Sequence, residues 1–319
     1  MDANVVAITV NYRTSQLTIE LIASIVKAGS ILRLIIVDNF SEDNSVETIQ
    51  TYLTDNEIHW VTLIPSLSNK GFSAGNNIAF RYINEFEWNY DYLWLLNPDT
   101  RIFDSSAENL VKFMIASNYQ ICGSRLEDED GTPQISAFNF PSVIGEFCAG
   151  ARVGFLDRLL RTKITRTPIA ESNTQCGWLA GASLMFSRKA HMSIGMMDED
   201  YFLYFEEVDY LLKAKREGYS CWYIPSSRVY HSVGASTGIS DYRKKSPRRP
   251  KYWFDSRRRY FLKNYGRLML VFVDVAFIFG YSAWVLRKIL ADKSSLKNEP
   301  EKFLGDFIKN SFLFRGFSR

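Results

Sequence analysis

Short apolar runs alternate with helix-length amphipathic segments through the first 125 residues of this chain. Residues 17–27 carry apolar side chains at helical spacing, and Gly29 follows them as a stop signal. The pattern predicts strands at 5–10, 32–37, 60–64 and 92–96, and helices at 17–27, from 43 onward and at 75–86. Strands that are apolar throughout and alternate with helices are typical of a parallel sheet covered on both faces. The predicted class is therefore α/β, with a mostly parallel sheet flanked by helices.

Polar residues stand at the ends of three of these predicted strands. Asn11 and Asp38 directly follow the first two, and Asp99 comes three residues after the fourth. In a parallel sheet the carboxyl ends of the strands share one edge, and ligands bind there. The sequence therefore predicts a ligand site at that edge.

The pattern weakens after residue 126. Residues 127–173 look irregular, as in segments that carry specificity. A strand is predicted at 177–186, with small residues at its centre that allow a neighbouring element or a substrate to approach the backbone. Further on, Phe205, Val208 and Leu212 form the apolar stripe of a predicted helix.

Charge is unevenly distributed, although the net charge is only +3. Residues 243–267 contain eleven Lys or Arg residues and a single acid, Asp255, which favours an anionic partner. Residues 268–286 are mostly apolar and just long enough to span a membrane, but Asp274 within them disfavours a span. A transmembrane, an in-plane and a buried helix all remain open. An apolar stripe on 303–312 predicts an in-plane interfacial helix, so the C-terminal part as a whole predicts peripheral association with an anionic membrane.

Two further features bear on location. Four widely spaced cysteines without a CxxC pair favour a reducing compartment. The first residues lead into an apolar strand without a basic region, which disfavours a cleaved signal peptide. We expect a cytoplasmic protein on the inner face of the membrane.

Asp99 is the candidate metal ligand. Pro98 stiffens the turn before it, so the carboxylate is expected to project from the sheet edge. One carboxylate with open coordination positions suits Mg²⁺ or Mn²⁺, which take other oxygens from water and a diphosphate. His231, one of three histidines, follows a predicted strand and is a candidate second ligand; a structural role is the alternative.

Residues 69–77 and Asp38 are candidates for nucleotide binding. The small residues of 69–77 lead into a helix and can present backbone N–H groups to phosphate or ribose. Asp38 can accept a hydrogen bond from N3–H of uracil or thymine, although it can equally cap the following helix.

The predicted helix around Val208 carries three acids. Asp209 precedes Lys213 by four residues, which favours an ion pair. Glu206 and Glu207 have no such basic partner, so one of them is the candidate general base.

These elements, taken in order, resemble the family 2 glycosyltransferases, particularly their bacterial rhamnosyltransferase-like branch. The resemblance covers about residues 4–235 and rests on an ordered set of short matches: Val10-Asn11-Tyr12, Val37-Asp38-Asn39, Asn69-Lys70-Gly71-Phe72, Gly75-Asn76-Asn77, Leu96-Asn97-Pro98-Asp99, Gly177-Trp178, Gly181-Ala182, Tyr204 to Asp209, and His231-Ser232.

The resemblance implies a GT-A fold with a Rossmann-like sheet and an inverting, metal-dependent transfer of a sugar from a nucleotide donor. It implies a catalytic domain at 1–240, with a nucleotide-sugar half at about 1–125 and an acceptor half at about 126–240, followed by a membrane-associating extension at 241–319. Mg²⁺ or Mn²⁺ would be held by Asp99 and His231. The implied donor residues are Asn11, Asp38, Asn69, Lys70, Gly71, Asn76 and Asn97, and the implied acceptor residues are Trp178, Gly181 and Ala182.

The family's acidic pair is usually Glu-Asp, whereas this chain has Glu206-Glu207. This places the expected base on Glu207, with Glu206 and Asp209 as alternatives. The expected function is transfer from a UDP- or dTDP-sugar, dTDP-rhamnose among them, to a lipid-linked or polysaccharide acceptor in cell-surface glycan synthesis, with no nucleic-acid partner. The alternatives are a sugar nucleotidyltransferase and an inactive, membrane-bound glycan-binding protein.

Overall fold

A computed structural model describes residues 3–29, 33–232, 248–291 and 299–317. The chain forms two compact units. The first comprises Met1–Ala137, Pro168–Phe202 and Glu206–Ser236; the second comprises Phe138–Thr167, Leu203–Phe205 and Thr237–Arg319. The boundary predicted at residue 240 lies outside the described residues, and the second unit includes Phe138–Thr167 as well as the C-terminal extension.

The strands, in chain order, are β1 Val5–Asn11, β2 Arg33–Asp38, β3 Val61–Pro65, β4 Tyr92–Leu96, β5 Thr100–Ile102, β6 Ile121–Glu127, β7 Ala137–Phe138, β8 Thr174–Cys176, β9 Trp178–Leu179, β10 Ser183–Ser187 and β11 Cys221–His231. The helices are α1 Ser15–Ala28, α2 Ser45–Asp55, α3 Phe72–Glu85, α4 Ser106–Ser117, α5 Val143–Ala151, α6 Gly154–Leu159, α7 Arg188–Ile194, α8 Glu206–Arg216, α9 Lys251–Ala291, α10 Phe303–Asn310 and α11 Phe312–Arg315.

The first unit is built on one mixed sheet in the order β3-β2-β1-β4-β10-β6-β11-β5, with β8 beside β11. β1 pairs in parallel with β2 and β4, and β6 with β11, whereas β10 runs antiparallel between β4 and β6. Alternate residues of β1 enter two separate buried clusters: Val5 and Ala7 join one, and Val6 and Ile8 the other. Both faces are therefore covered, which explains why the strands are apolar throughout. The predicted α/β class is confirmed.

Several predicted boundaries were wrong. α3 begins at Phe72 rather than Gly75, because Gly71 (φ 90°) ends the preceding extended chain and the helix starts at once. The strand predicted at 177–186 is divided into β9 and β10 by a turn at Gly181. Phe205 lies outside α8, since its φ of 68° is not helical. The segment predicted to be irregular contains α5 and α6.

The second unit is organised around α9. Its backbone departs from helical geometry at Gly266 (φ 83°), which divides it into two segments. α5 packs against the second segment at backbone distance: a Cβ added at Gly280 would lie 2.5 Å from the Phe147 carbonyl oxygen, and one at Gly150 would lie 2.7 Å from that of Phe277.

The apolar stripe on 303–312 was predicted to lie in a membrane plane, and this is wrong for Phe303 and Phe307 of α10. Phe303 and Phe307 are buried in an aromatic cluster with Phe254, Phe277 and Tyr281 of α9. By length and composition alone α9 could cross a membrane, and 39% of its most apolar window is buried inside the protein.

Candidate functional site

The carboxyl ends of β1 and β2 form a buried polar cluster around Asp38. The Oδ2 atom of Asp38 accepts hydrogen bonds from Asn11 Nδ2 at 2.6 Å and from Ser41 Oγ at 2.5 Å, and its Oδ1 accepts one from the Ser41 N–H at 3.0 Å. Asn11 and Asp38 are paired residues of the parallel ladder, so the strand register itself brings them together. The carboxylate also closes the turn at 38–41. The alternative interpretation of Asp38 as a helix cap is wrong, because α2 begins only at Ser45 and its N-cap residue is Asn44. A carboxylate has about four acceptor positions, so Asp38 can still receive one further donor.

The 69–71 loop is attached to the end of β2 by Asn39. The Asn39 amide donates to Asn69 Oδ1 at 3.0 Å and to the Gly71 carbonyl at 3.1 Å, and Asn69 Oδ1 also accepts from the Gly71 N–H. Gly71 has φ 90°, and a Cβ there would lie 1.9 Å from the carbonyl oxygen of Phe202. No other residue type fits at position 71. The side chain of the preceding residue, Lys70, is exposed.

Asp99 and His231 lie side by side at the same edge of the sheet. His231 Nε2 is 3.6 Å from Asp99 Oδ1, and the backbone N–H of Ser232 donates to the Asp99 carbonyl at 2.9 Å. Asp99 is 3% exposed, and the antiparallel pairing of β5 with β11 sets Thr100 opposite His231. Burial lowers the pKa of His231, and the negative charges of Asp99 and Asp128 partly oppose this effect.

Gln134 determines how the imidazole of His231 is presented. Its amide nitrogen donates to Asp128 Oδ1 and to the His231 carbonyl, both at 2.8 Å, so its Oε1 must be the atom that lies 3.0 Å from His231 Nδ1. Nδ1 therefore carries a proton, and in the neutral ring Nε2, the nitrogen that faces Asp99, is the one with a free lone pair. Sequence reasoning missed Gln134, because it lies 97 positions before His231 in a segment without a pattern.

The Glu206-Glu207 pair opens α8. Tyr204 and Phe205 both have left-handed φ values, 69° and 68°, so the helix cannot start before Glu206. Glu206 is 6% exposed, and Glu207 is partly exposed through other atoms although its Oε2 is enclosed. Within the described part of the chain, neither buried Oε2 has a hydrogen-bond partner.

The electrostatics of this pair are dominated by burial. Burial raises the pKa of Glu207 to about 7, despite the opposing effect of the backbone N–H groups of Glu207 and Val208. Burial and the neighbouring Glu207 also raise the pKa of Glu206. The N-terminus of a helix normally stabilises the charged form of acids in its first turn and so lowers their pKa. In Glu206 and Glu207 the loss of solvation raises the pKa by more than the helix N-terminus lowers it.

The remaining predicted residues have different surroundings. Asp209 is buried and accepts from the Tyr201 hydroxyl at 3.3 Å, while Lys213 donates to the Ile194 carbonyl. Asn76 is 1% exposed inside α3 and donates to the Phe72 carbonyl, so its side chain serves the helix rather than an open surface. Trp178 is half-buried in β9.

Several of the predicted residues are neighbours of one another in the first unit. A Cβ at Gly181 would lie 3.6 Å from the Phe72 ring and 3.9 Å from Glu207 Cβ. The next residue, Ala182, accepts a hydrogen bond through its carbonyl from the Asn97 N–H at 3.2 Å, and Asp99 follows two positions later. Phe72 directly follows Gly71, which Asn39 binds. A series of neighbouring residues within the first unit thus connects Asp38, Asp99, Glu207 and His231.

A family model described as "Glycosyl transferase family 2" matches residues 5–195, which is more than half of the chain. The chain belongs to this family. The family 2 resemblance deduced from the ordered residues is confirmed, and the match includes Asn11, Asp38 and Asp99 but ends before α8.

Curated relatives share part of the chain. A hexosyltransferase of low-salt glycan biosynthesis from Haloferax volcanii, Agl10, is 26% identical over 66% of this chain and 61% of its own length. An N-acetylglucosaminyl-diphospho-decaprenol L-rhamnosyltransferase from Mycobacterium tuberculosis is 29% identical over 64% of this chain and 68% of its own length. The rhamnosyltransferase WbbL of Escherichia coli is 27% identical over 50% of this chain and 60% of its own. This chain thus spans only about three fifths to two thirds of the length of these relatives.

Solved structures confirm the GT-A fold. GalNAc-T7, solved with UDP, GalNAc and Mn²⁺, aligns with a TM-score of 0.62 over 99% of this chain and 56% of its own, at 14% identity. The mannosyltransferase PcManGT of Pyrobaculum calidifontis, solved with GDP-mannose and Mn²⁺, aligns with a TM-score of 0.61 over the whole chain and 89% of its own, at 12% identity.

Proposed function

We propose that this family 2 protein is an inverting, metal-dependent glycosyltransferase that moves a sugar from a UDP- or dTDP-linked donor to a hydroxyl of a lipid-linked or polysaccharide acceptor. The observation that carries the proposal is the contact series from Asp38 through Gly71 and Gly181 to Glu207 and Asp99. This series supports one site in which Asp38 reads the base, Glu207 acts as general base and Asp99 with His231 binds the metal.

Asp99 and His231 fit a divalent cation. A carboxylate oxygen and an imidazole lone pair face each other at 3.6 Å. Two ligands that share one ion lie roughly 3 to 3.6 Å apart, since each is about 2.1 Å from the ion. Gln134 accepts from Nδ1, so Nε2 of the neutral imidazole is available to a cation that it would share with Asp99.

The pair would leave most coordination positions open. Among the described residues no group of three or more His, Cys, Asp or Glu side chains forms a metal cluster. This suits Mg²⁺ or Mn²⁺, which bind a few protein ligands together with water and diphosphate oxygens. When bound, the ion neutralises negative charge on the departing nucleoside diphosphate.

Glu207 is the proposed general base. The Cβ of Glu207 lies 3.9 Å from the position that a Cβ at Gly181 would take, a position that the glycine leaves free for an acceptor. The pKa of Glu207, about 7, suits a group that must take up a proton near neutral pH. Transfer of that proton lets the hydroxyl oxygen attack the anomeric carbon opposite the leaving diphosphate. A single displacement of this kind inverts the anomeric configuration.

We assign nucleotide recognition to the carboxyl ends of β1 and β2 and to the 69–71 loop. The remaining acceptor position of Asp38 can receive N3–H of uracil or thymine, a group that cytosine lacks. Asn11 holds this carboxylate in place, and the exposed Lys70 supplies a positive charge for the diphosphate. Gly181, Ala182 and Trp178 form the proposed acceptor side.

The relatives narrow the choice of substrates. One is named a dTDP-rhamnosyl transferase, RfbF of Shigella flexneri, and the mycobacterial relative is named for a diphospho-decaprenol-linked sugar. We therefore take dTDP-rhamnose as the first donor to test and a polyprenyl-diphosphate-linked sugar as the first acceptor. An acceptor of this kind would place the protein at the inner face of a membrane, peripherally bound through its C-terminal extension.

The test is an assay of purified protein with dTDP-rhamnose and a series of UDP-sugars, a polyprenyl-diphosphate-linked sugar, and Mg²⁺ or Mn²⁺. Release of nucleoside diphosphate together with a glycosylated lipid is expected, and chelation should stop it. The anomeric configuration of the product, determined by NMR, should be opposite to that of the donor. Release of pyrophosphate would point to a nucleotidyltransferase. Donor binding without turnover on any acceptor would point to an inactive binding protein.

A further inference from the structure

The second segment of α9 has two sharply different faces. At about 100° per residue, Leu268, Phe272, Val275, Phe279, Leu286 and Leu290 fall within an arc of about 60°. They are between 51% and 79% exposed. The opposite face carries Leu270, Val273, Asp274, Phe277, Gly280, Tyr281 and Trp284, all of them buried. The outer stripe is thus a continuous apolar surface about 33 Å long, at about 1.5 Å per residue.

The inner face prevents this segment from crossing a bilayer. Asp274 Oδ1 is bound to Arg257 Nη1 at 2.6 Å, and its Oδ2 accepts from the Phe312 N–H at 2.9 Å. Arg257 also contacts Glu146 Oε2 at 2.6 Å. A spanning helix would have to break these buried ion pairs and leave its close backbone packing on α5 at Gly280. The inner face of the segment is packed inside the unit, and its outer face is exposed.

The charges around the outer stripe indicate its partner. From Leu268 to Leu286 the only charged residue is Asp274, on the buried face. Lys263 and Arg267 precede the stripe, and Arg287 and Lys288 lie in its last turn, before Leu290. Antiparallel pairing with a second copy would set these basic ends against each other, and a symmetric dimer would repeat that repulsion. An anionic lipid surface satisfies both the apolar stripe and its basic ends.

We propose that the outer stripe of α9 lies in the plane of an anionic bilayer, with its apolar side chains inserted at the level of the lipid headgroups and upper acyl chains. The stripe is a half-inserted surface and neither a membrane span nor a core helix. Phe155 and Leu159 of α6, 73% and 67% exposed, adjoin its far end, because Arg287 donates to the carbonyls of Ala151 and Arg152 just before α6. Membrane docking of this kind rests on the proposed function, whose membrane partner it specifies.

The test is sedimentation of the full chain with vesicles, without donor or acceptor, so that it does not depend on transfer activity. Vesicles of phosphatidylcholine mixed with phosphatidylglycerol should bind the protein, and raised salt should weaken the binding. The double variant Phe272→Ser/Phe279→Ser should reduce the partition constant more than about tenfold, because two large apolar side chains no longer enter the bilayer. The matched control is Leu67→Ser/Ile115→Ser, which removes two exposed apolar side chains from the first unit and should bind as the unmodified protein does.

Three results would overturn the proposal. One is equal vesicle binding by the Phe272/Phe279 variant while its circular dichroism shows an intact fold. Another is protein that resists alkaline carbonate extraction from membranes, which indicates a spanning helix. The third is a dimer in light scattering that the double variant converts to monomer, which assigns the stripe to a second copy. Nucleoside diphosphate binding by the same variants, followed by thermal shift, reports on the transferase site separately.

Discussion

Replacing Glu207 by Gln should both abolish transfer and stabilise the protein at neutral pH. The buried carboxylate has a pKa of about 7, compared with an ordinary value of 4.5. A rise of this size corresponds to about 3 kcal/mol, at about 1.36 kcal/mol per pKa unit. Because part of the side chain reaches solvent, we expect about 2 to 3 kcal/mol of stabilisation. Gln keeps the shape of the Glu207 side chain but cannot ionise.

The pH dependence has a definite sign. Between about pH 4.5 and pH 7 the folded protein holds a proton that the unfolded chain has released, so the stability of the unmodified protein falls as pH rises through this window. The Glu207→Gln variant lacks the contribution of residue 207 to this slope, because its amide does not titrate, whereas the contribution of Glu206 remains. The difference in unfolding free energy between the variant and the unmodified protein should be close to zero below about pH 4.5 and reach its full value above about pH 7.

Catalytic activity should rise with pH over the range in which stability falls. In the unmodified protein kcat/KM should rise with pH, with a midpoint near 7, because only the carboxylate accepts a proton. The kcat of the Glu207→Gln variant should be about 10²- to 10⁴-fold lower than that of the unmodified protein. Denaturant unfolding and nucleoside diphosphate release, both followed from about pH 4 to about pH 8.5, measure the two effects.

The control is Glu217→Gln, which makes the same chemical change at an exposed residue after α8 and should alter stability by less than about 0.5 kcal/mol at every pH. A stability difference for Glu207→Gln that does not depend on pH would refute the buried, raised-pKa carboxylate. Undiminished turnover would remove Glu207 as the base and leave Glu206 or Asp209.

Three other changes test separate parts of the structure. Gln134→Ala frees the imidazole of His231, so Mn²⁺ affinity measured by titration calorimetry should fall about 10- to 100-fold. Gly71→Ala places a Cβ 1.9 Å from a carbonyl oxygen, so nucleotide binding should be lost, whereas Gly131→Ala, also at positive φ (80°) but with its nearest neighbour atom 3.9 Å away, should bind nucleotide normally. Arg257→Met leaves the buried Asp274 and the partly buried Glu146 without their ion-pair partner, so chemical denaturation should show a free energy of unfolding lowered by about 3 to 5 kcal/mol.

Each of these has a clear contrary outcome. Unchanged Mn²⁺ affinity in Gln134→Ala would mean that the orientation of His231 does not matter for the metal. Nucleotide binding by Gly71→Ala equal to that of Gly131→Ala would show that the 69–71 loop is not constrained as described. A stability loss in Arg257→Met no larger than that of an exposed pair, such as Lys251–Asp255 broken by Lys251→Ala, would refute the buried ion network.

The sequence by itself determined the class of the fold and the family. Apolar runs of strand length separated by amphipathic helices are local signals, and a strand covered on both faces must be apolar at every position, as β1 and β4 largely are. The ordered polar residues at the strand ends follow from the same local pattern. For this reason Asn11, Asp38 and Asp99 could be assigned to one edge before the fold was known.

Only the tertiary structure decided what surrounds those residues. The partnership of Gln134 with His231 spans 97 positions, and that of Asn39 with Gly71 spans 32, and neither leaves a trace in local periodicity. Burial, which sets the pKa of Glu207, depends on the elements packed around α8 and not on its own sequence. The same holds for the C-terminal helices, because the stripe of α10 and the outer stripe of α9 look alike as sequence. Phe303 and Phe307 of α10 are buried in the aromatic cluster, whereas the outer stripe of α9 is more than half exposed even where Phe279 stacks on Phe147.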